Sequence, residues 1–162
     1  SLADTLQEQR KTLSVQTTNG HRETVEVTIP RGVNNGTQIR YPGLGDTFFN
    51  TLPRGDLYVV IKIEPHSLYV VEGIDLIVAL DIDCFEAILG TDVQITGIDG
   101  KIFMLTVPPG TQPGTMLRIK GEGIYAMNQN HRGNLLVRVN VTIPRNLTDG
   151  QRDFIRKAQS EK

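Results

Sequence analysis

The residues of this 162-residue chain whose types could do chemistry are few: His21, His66, His131, the single cysteine Cys84, and the pair Asp81 and Asp83. Nucleophilic catalysis needs a serine or cysteine beside a base. All three histidines fall in stretches that read as turn or loop, with no neighbour suggesting such a pair. Asp81 and Asp83 share a strand face and could offer carboxylate oxygens to a divalent ion. No further carboxylate follows at ligand spacing, and Asp83 with Glu86 makes the D-x-x-E pattern of a helix cap. The Gly-x-Gly pairs lack the Gly-Lys-Ser/Thr of a phosphate loop. One cysteine excludes an internal disulfide and any cysteine-rich zinc site, and fits a reducing compartment such as the cytoplasm. These residues predict no enzyme, no metal and no cofactor.

Composition narrows the class further. With 38% apolar and 22% charged residues the chain is globular, and long enough for one or two domains with real cores. A net charge of −1 argues against a nucleic-acid or membrane-surface binder, which would usually be basic. No apolar run approaches the ~20 residues that span a bilayer, and no signal peptide opens the chain. The first residue is Ser1 rather than methionine, so a piece of a longer protein is expected.

The elements that carry these residues are announced by a duplication. Thr28–Gly45, TIPRGVNNGTQIRYPGLG, returns from Thr106 as TVPPGTQPGTMLRIKGEG at an offset of 78 residues. Pro30 falls on Pro108, Gly36 on Gly114, Arg40 on Arg118 and Gly45 on Gly123. The same offset carries Arg54-Gly-Asp-Leu-Tyr-Val onto Arg132-Gly-Asn-Leu-Leu-Val without a gap. Such a period is too long for a solenoid and suits a small domain used twice. Each copy reads as strand, tight turn, strand, loop, strand: proline ends a β-branched run, glycines turn the chain, and a new strand begins.

Ser1-Leu-Ala-Asp4 resembles a capping box opening a short helix through Leu6. Lys11–Gln16, the Asn19-Gly20 turn signal and Glu23–Ile29 predict a β-hairpin. Residues 46–54 read as loop. Leu57–Ile63 is apolar on both faces, so it must be covered on both or line a groove. In the second copy Asp75–Asp81 predicts a strand, Ala87-Ile-Leu a helix ending at Gly90, and Thr91–Thr96 with Lys101–Val107 a second hairpin. Leu135–Ile143 predicts the last long strand. Leu147–Gln159 predicts a helix capped by Thr148 and Gln151, with Phe154, Ile155 and Ala158 in one apolar stripe lacking an obvious partner. The expectation is a mostly β chain of two tandem β-sandwich units, each with a short helix: residues 1–64, 65–144 with a separate core, and a C-terminal helix over 145–162.

The motifs Val27-Thr-Ile-Pro-Arg-Gly-Val, Gly36-Thr-Gln-Ile-Arg, Gly55-Asp-Leu-Tyr-Val, Pro65-His66, Ala87-Ile-Leu-Gly90, Asp99-Gly-Lys101, Pro109-Gly-Thr-Gln-Pro-Gly-Thr and Gly133-Asn-Leu-Leu-Val-Arg-Val stand in order over nearly the whole chain. Together they resemble the C-terminal region of the DnaJ family of J-domain co-chaperones. The resemblance implies two sandwich domains that bind non-native polypeptide, hand it to a DnaK-type ATPase chaperone, and form a homodimer through the C-terminal segment. Three departures stand out. No J domain with its His-Pro-Asp motif is present, so this stretch is not expected to stimulate ATP hydrolysis. The four Cys-x-x-Cys zinc pairs are replaced by the turn at Thr17–Arg22, as in the zinc-free class. The strand that family members carry ahead of Ser1 lies outside the sequence, leaving the first unit short of one wall.

Carried over by position, the resemblance places an apolar peptide groove at Leu13, Val15 and Val59, where an extended client could add to a strand edge. Alternating Leu and Val are also the ordinary signature of a half-buried core strand. It places docking of the partner's acidic tail at Lys11 and Arg22, with Glu64 where lysine is common, and dimerisation at Phe154, Ile155 and Ala158. Solvated surface charge is the ordinary reading of single charges. The alternative function is a non-enzymatic structural or adhesion β-module in a larger assembly. A carbohydrate-binding sandwich would want exposed tryptophans, and the chain has none.

Overall fold

A computed structural model describes residues 1–18, 20–46 and 53–161. The chain begins with a single 3-10 turn, Ala3–Leu6, followed by β1 (Gln9–Gln16), β2 (Arg22–Ile29), β3 (Gln38–Tyr41) and β4 (Leu57–Val60). The second half holds β5 (Tyr69–Glu72), β6 (Asp75–Asp83), α1 (Cys84–Leu89), β7 (Thr91–Thr96), β8 (Ile102–Val107), β9 (Met116–Ile119) and β10 (Leu135–Thr142). Helix α2 (Asp149–Ser160) closes it. The fold is mostly β with a C-terminal helix, as the sequence predicts. Asn19, half of the expected hairpin turn, and most of the loop expected over 46–54 lie outside the described residues.

The duplication is physical down to single hydrogen bonds. Hairpin β1–β2 begins with Gln9 opposite Ile29, and β7–β8 with Thr91 opposite Val107; the first is two residue pairs longer. Gly36 donates to Ile61 O at 2.8 Å and Gly114 to Val139 O at 2.7 Å. Arg54 Nε donates to Gly45 O at 3.1 Å, and Arg132 Nε to Gly123 O at 2.7 Å. Asp56 accepts from Gly43 N at 3.2 Å where Asn134 accepts from Gly121 N at 3.3 Å. The repeated Arg-Gly-Asp/Asn motif is therefore a loop clasp: arginine ties down one carbonyl, and the Asp or Asn one amide.

The units differ in their sheets. β10 lies between β6, its parallel neighbour, and β9, in a four-stranded sheet of order β5-β6-β10-β9. β4, the counterpart of β10, pairs only with β3 among the described residues. Consequently Leu135, Val137 and Val139 are fully buried, each worth about 1.5–3 kcal/mol of burial. Both hydrophobic clusters centre on this second unit. The expected separation of the two cores is incomplete. Leu2, with Leu6 and Ile63, packs into the cluster of Tyr69, Leu76 and Ile124, and a methyl group at Gly32 would meet Tyr125 O at 2.5 Å. Arg31 lies 4.6 Å from the Tyr125 ring centroid and binds Asn130.

Caps follow the sequence in two cases of three. Asp83 with Glu86 and Thr148 with Gln151 form complete capping boxes on α1 and α2. The box expected at Ser1–Asp4 does not form: Leu2 takes the cap position without a side-chain bond, and Asp4 accepts from the Ser1 amine at 2.8 Å. The expected strand over Leu57–Ile63 is shortened to Leu57–Val60, with Ile63 N held instead by Asn35 Oδ1 at 2.8 Å.

Candidate peptide-binding groove

Strand β4 presents one edge to β3 and the other to a cavity of about 260 Å³. Five successive residues, 59–63, line this cavity. Val59 and Val60 belong to β4 and 61–63 to the segment after it, so the cavity follows the chain past the end of the strand. Facing them are Thr5 from the 3-10 turn, Lys11 from β1 and Ile29 from β2. In the second unit Ile82 of β6 packs with Ala87, Val107 and Val139 in one buried cluster. The positions corresponding to those last three are Thr5, which like Ala87 accepts from the repeated glycine, Ile29 and Ile61; here they border the cavity, and the position matching Ile82 falls ahead of Ser1, outside the sequence.

The expected site residues are only partly brought together. Val59 and Lys11 share the cavity wall. Leu13 and Val15 are half-buried on the same face of β1, further along and opposite Val25 and Glu23, and are not part of that wall. Arg22 sits at the far end of the hairpin opposite Gln16, away from Lys11, which faces Val27. Glu64 lies beyond β4, on a second cavity. Phe154, Ile155 and Ala158 are all exposed, and α2 buries no residue.

Sequence reasoning missed Ile61, Ile63 and Lys62 as cavity walls. The signal was present in the run Leu57–Ile63, apolar on both faces. Its outer pair, Tyr58 and Val60, is left exposed. Of the other chemical candidates, Asp81, Asp83 and His66 are engaged in structure. Asp81 accepts from Asn140 at 2.9 Å and Asp83 from Glu86 N at 2.8 Å. His66 Nδ1 accepts from Leu68 N at 3.1 Å and its ring stands 4.9 Å from that of Tyr69. Among the described residues no group of three or more His, Cys, Asp or Glu could hold a metal. No described helix is long and apolar enough to cross a membrane.

The family model described as DnaJ C terminal domain matches residues 1–144. The chain belongs to the DnaJ C-terminal domain family. It is 41% identical over 137 residues to the Chaperone protein DnaJ of Rickettsia bellii, covering 85% of this chain and 36% of that protein. It is 39% identical over 138 residues to the protein of the same name from Fusobacterium nucleatum, covering 84% and 35%. The Roseiflexus protein of that name is 43% identical over 128 residues, covering 79% and 34%. The chain thus spans about a third of the length of these DnaJ relatives.

Proposed function

We propose that this DnaJ-family chain is the client-binding region of a cytoplasmic co-chaperone. It binds non-native polypeptide through an apolar groove on its first unit and passes it to a DnaK-type ATPase chaperone. The observation that carries this is the match to the DnaJ C-terminal domain family over residues 1–144, with Leu13 and Val15 half-buried on one face of β1 and Val59 half-buried on β4. An extended client adding to a strand edge of the first unit makes backbone bonds of any sequence and places alternate apolar side chains against Leu13, Val15 and Val59. One large apolar side chain contributes ~1.5–3 kcal/mol on burial, so binding is weak and release easy. Lys11 and Arg22 attract the acidic tail of the partner, and Phe154, Ile155 and Ala158 pair two chains, raising avidity through effective concentration.

Light scattering of a chemically denatured client tests the reading. The chain suppresses aggregation, and Val59→Asp weakens both suppression and apolar-peptide affinity by about tenfold, the ~1.4 kcal/mol step, while the thermal melt stays in place. No suppression at any ratio of chain to client would favour a structural module instead. A Val59→Asp protein that stays folded and binds at full strength would put the groove elsewhere.

A further inference from the structure

A second surface has the same physical character and lies in the second unit. β5 is the outer strand of the four-stranded sheet. Leu76 N donates to Asn134 O on the β10 side, so Leu76 and its partner Val71 form a pair without mutual hydrogen bonds. The Val71 N–H and C=O therefore face outward at the free edge. Protein edges of this kind are usually blunted by lysine, proline or a bulge. Here the strand reads Tyr-Val-Val-Glu, with Val70 64% and Val71 42% exposed and Leu68 beside them 65% exposed.

At the foot of this edge is a cavity of about 320 Å³, with Ile63, His66, Val70 and Val71 among its walls. Its shape is fixed from both units. Asn35 holds Ile63 N, and the His66–Leu68 bond with the His66–Tyr69 ring contact sets the turn into β5. The fixed charges are negative: Glu64 lines the cavity and Glu72 ends the strand. Both are exposed, and neither is in an ion pair among the described residues.

We propose that the outer edge of β5, with the cavity at the junction of the two units, is a second peptide-binding site. Its occupant is an extended apolar segment flanked by basic residues. The segment adds as a strand through Val71, seats an apolar side chain in the cavity, and sets its cationic ends against Glu64 and Glu72. This rests on the proposed function only in taking non-native chains as the source of such segments. The site does not use Val59.

The test uses the 162-residue chain and a fluorescent peptide of alternating leucine and threonine with lysine at both ends. Amide resonances of Tyr69–Glu72 shift on titration. Val71→Pro removes only the outward N–H, a position where edge strands accept proline, and Val70→Asp charges an exposed face; each weakens the β5 shifts about tenfold or more. A glutamate-ended peptide binds poorly to the native chain and recovers on the Glu64→Gln, Glu72→Gln double variant. Unmoved β5 amides in the native chain, or full-strength binding to both Val71→Pro and Val70→Asp, would overturn the proposal. Binding abolished by Val59→Asp with β5 silent would sink this site and leave the first groove standing. β5 shifts that survive Val59→Asp, in a chain that never suppresses aggregation, would keep this site and sink the co-chaperone reading.

Discussion

The two units share their turns, their clasps and their hairpin registers, and differ at one edge. β10 is held on both sides and its inward residues are fully buried; β4 is held on one side and its counterparts are half-buried against a cavity. β6, which holds the second edge of β10, runs directly into α1; the matching stretch of the first unit falls ahead of Ser1, outside the sequence. Neighbouring strands, not the motif, decide which residues are core.

The largest expected effect comes from the glycine of the repeated clasp. A methyl group at Gly133 would collide with the Ile74 carbonyl, where the chain enters β6. At the corresponding Gly55 the nearest atom among the described residues would be Asp46 O at 3.5 Å, an ordinary contact. Gly133→Ala therefore destabilises the protein by about 3 kcal/mol, the upper end for an overpacked site. Gly55→Ala is neutral, or stabilising by up to about 1 kcal/mol through the unfolded chain. Paired denaturant melts read the difference, and equal losses would break the comparison.

The next effect is in the strands themselves. Val137→Ala, at a fully buried position, costs about 1.5–3 kcal/mol, whereas Val59→Ala costs less than half as much. Chemical denaturation of the two variants checks this. A Val59 loss as large as that of Val137 would show that Val59 is core rather than groove.

Much of this was legible because it is local. Proline and glycine positions marked the strand ends, alternation marked the hairpins, and the boxes at Asp83 and Thr148 marked two helices. The open edge was half legible: Leu57–Ile63 announced a strand needing cover on two faces, but pairing is non-local and nothing in the run says which neighbours arrive. For the same reason Leu13 and Val15 were grouped with Val59, although β1 carries them past the cavity. The entry of Leu2 and Ile63 into the second unit's core had no periodic signal at all.

The smallest effect separates the two hairpin turns. In the second, burial would raise the Asp99 pKa, but hydrogen bonds from Lys101 and the charges of Lys101 and Arg132 outweigh it and hold the carboxyl below its usual value. A depressed folded pKa contributes stability above the unfolded value of about 3.9, and that contribution is lost as pH falls through the lower folded value. Exposure limits it to about 1 kcal/mol or less. Melts below about pH 4 should show the loss in the native chain and a flatter profile in Asp99→Asn; identical profiles would remove the ion pairs from the account.

The central claim is that the first unit receives an extended ligand, whereas β10 of the second unit, held on both sides by its own neighbours, does not. Amide chemical shifts during titration with an apolar extended peptide measure this residue by residue. The account predicts movement along Val59–Ile63 and none along Val137–Val141. Equal movement in both strands, or movement in the second alone, would contradict it.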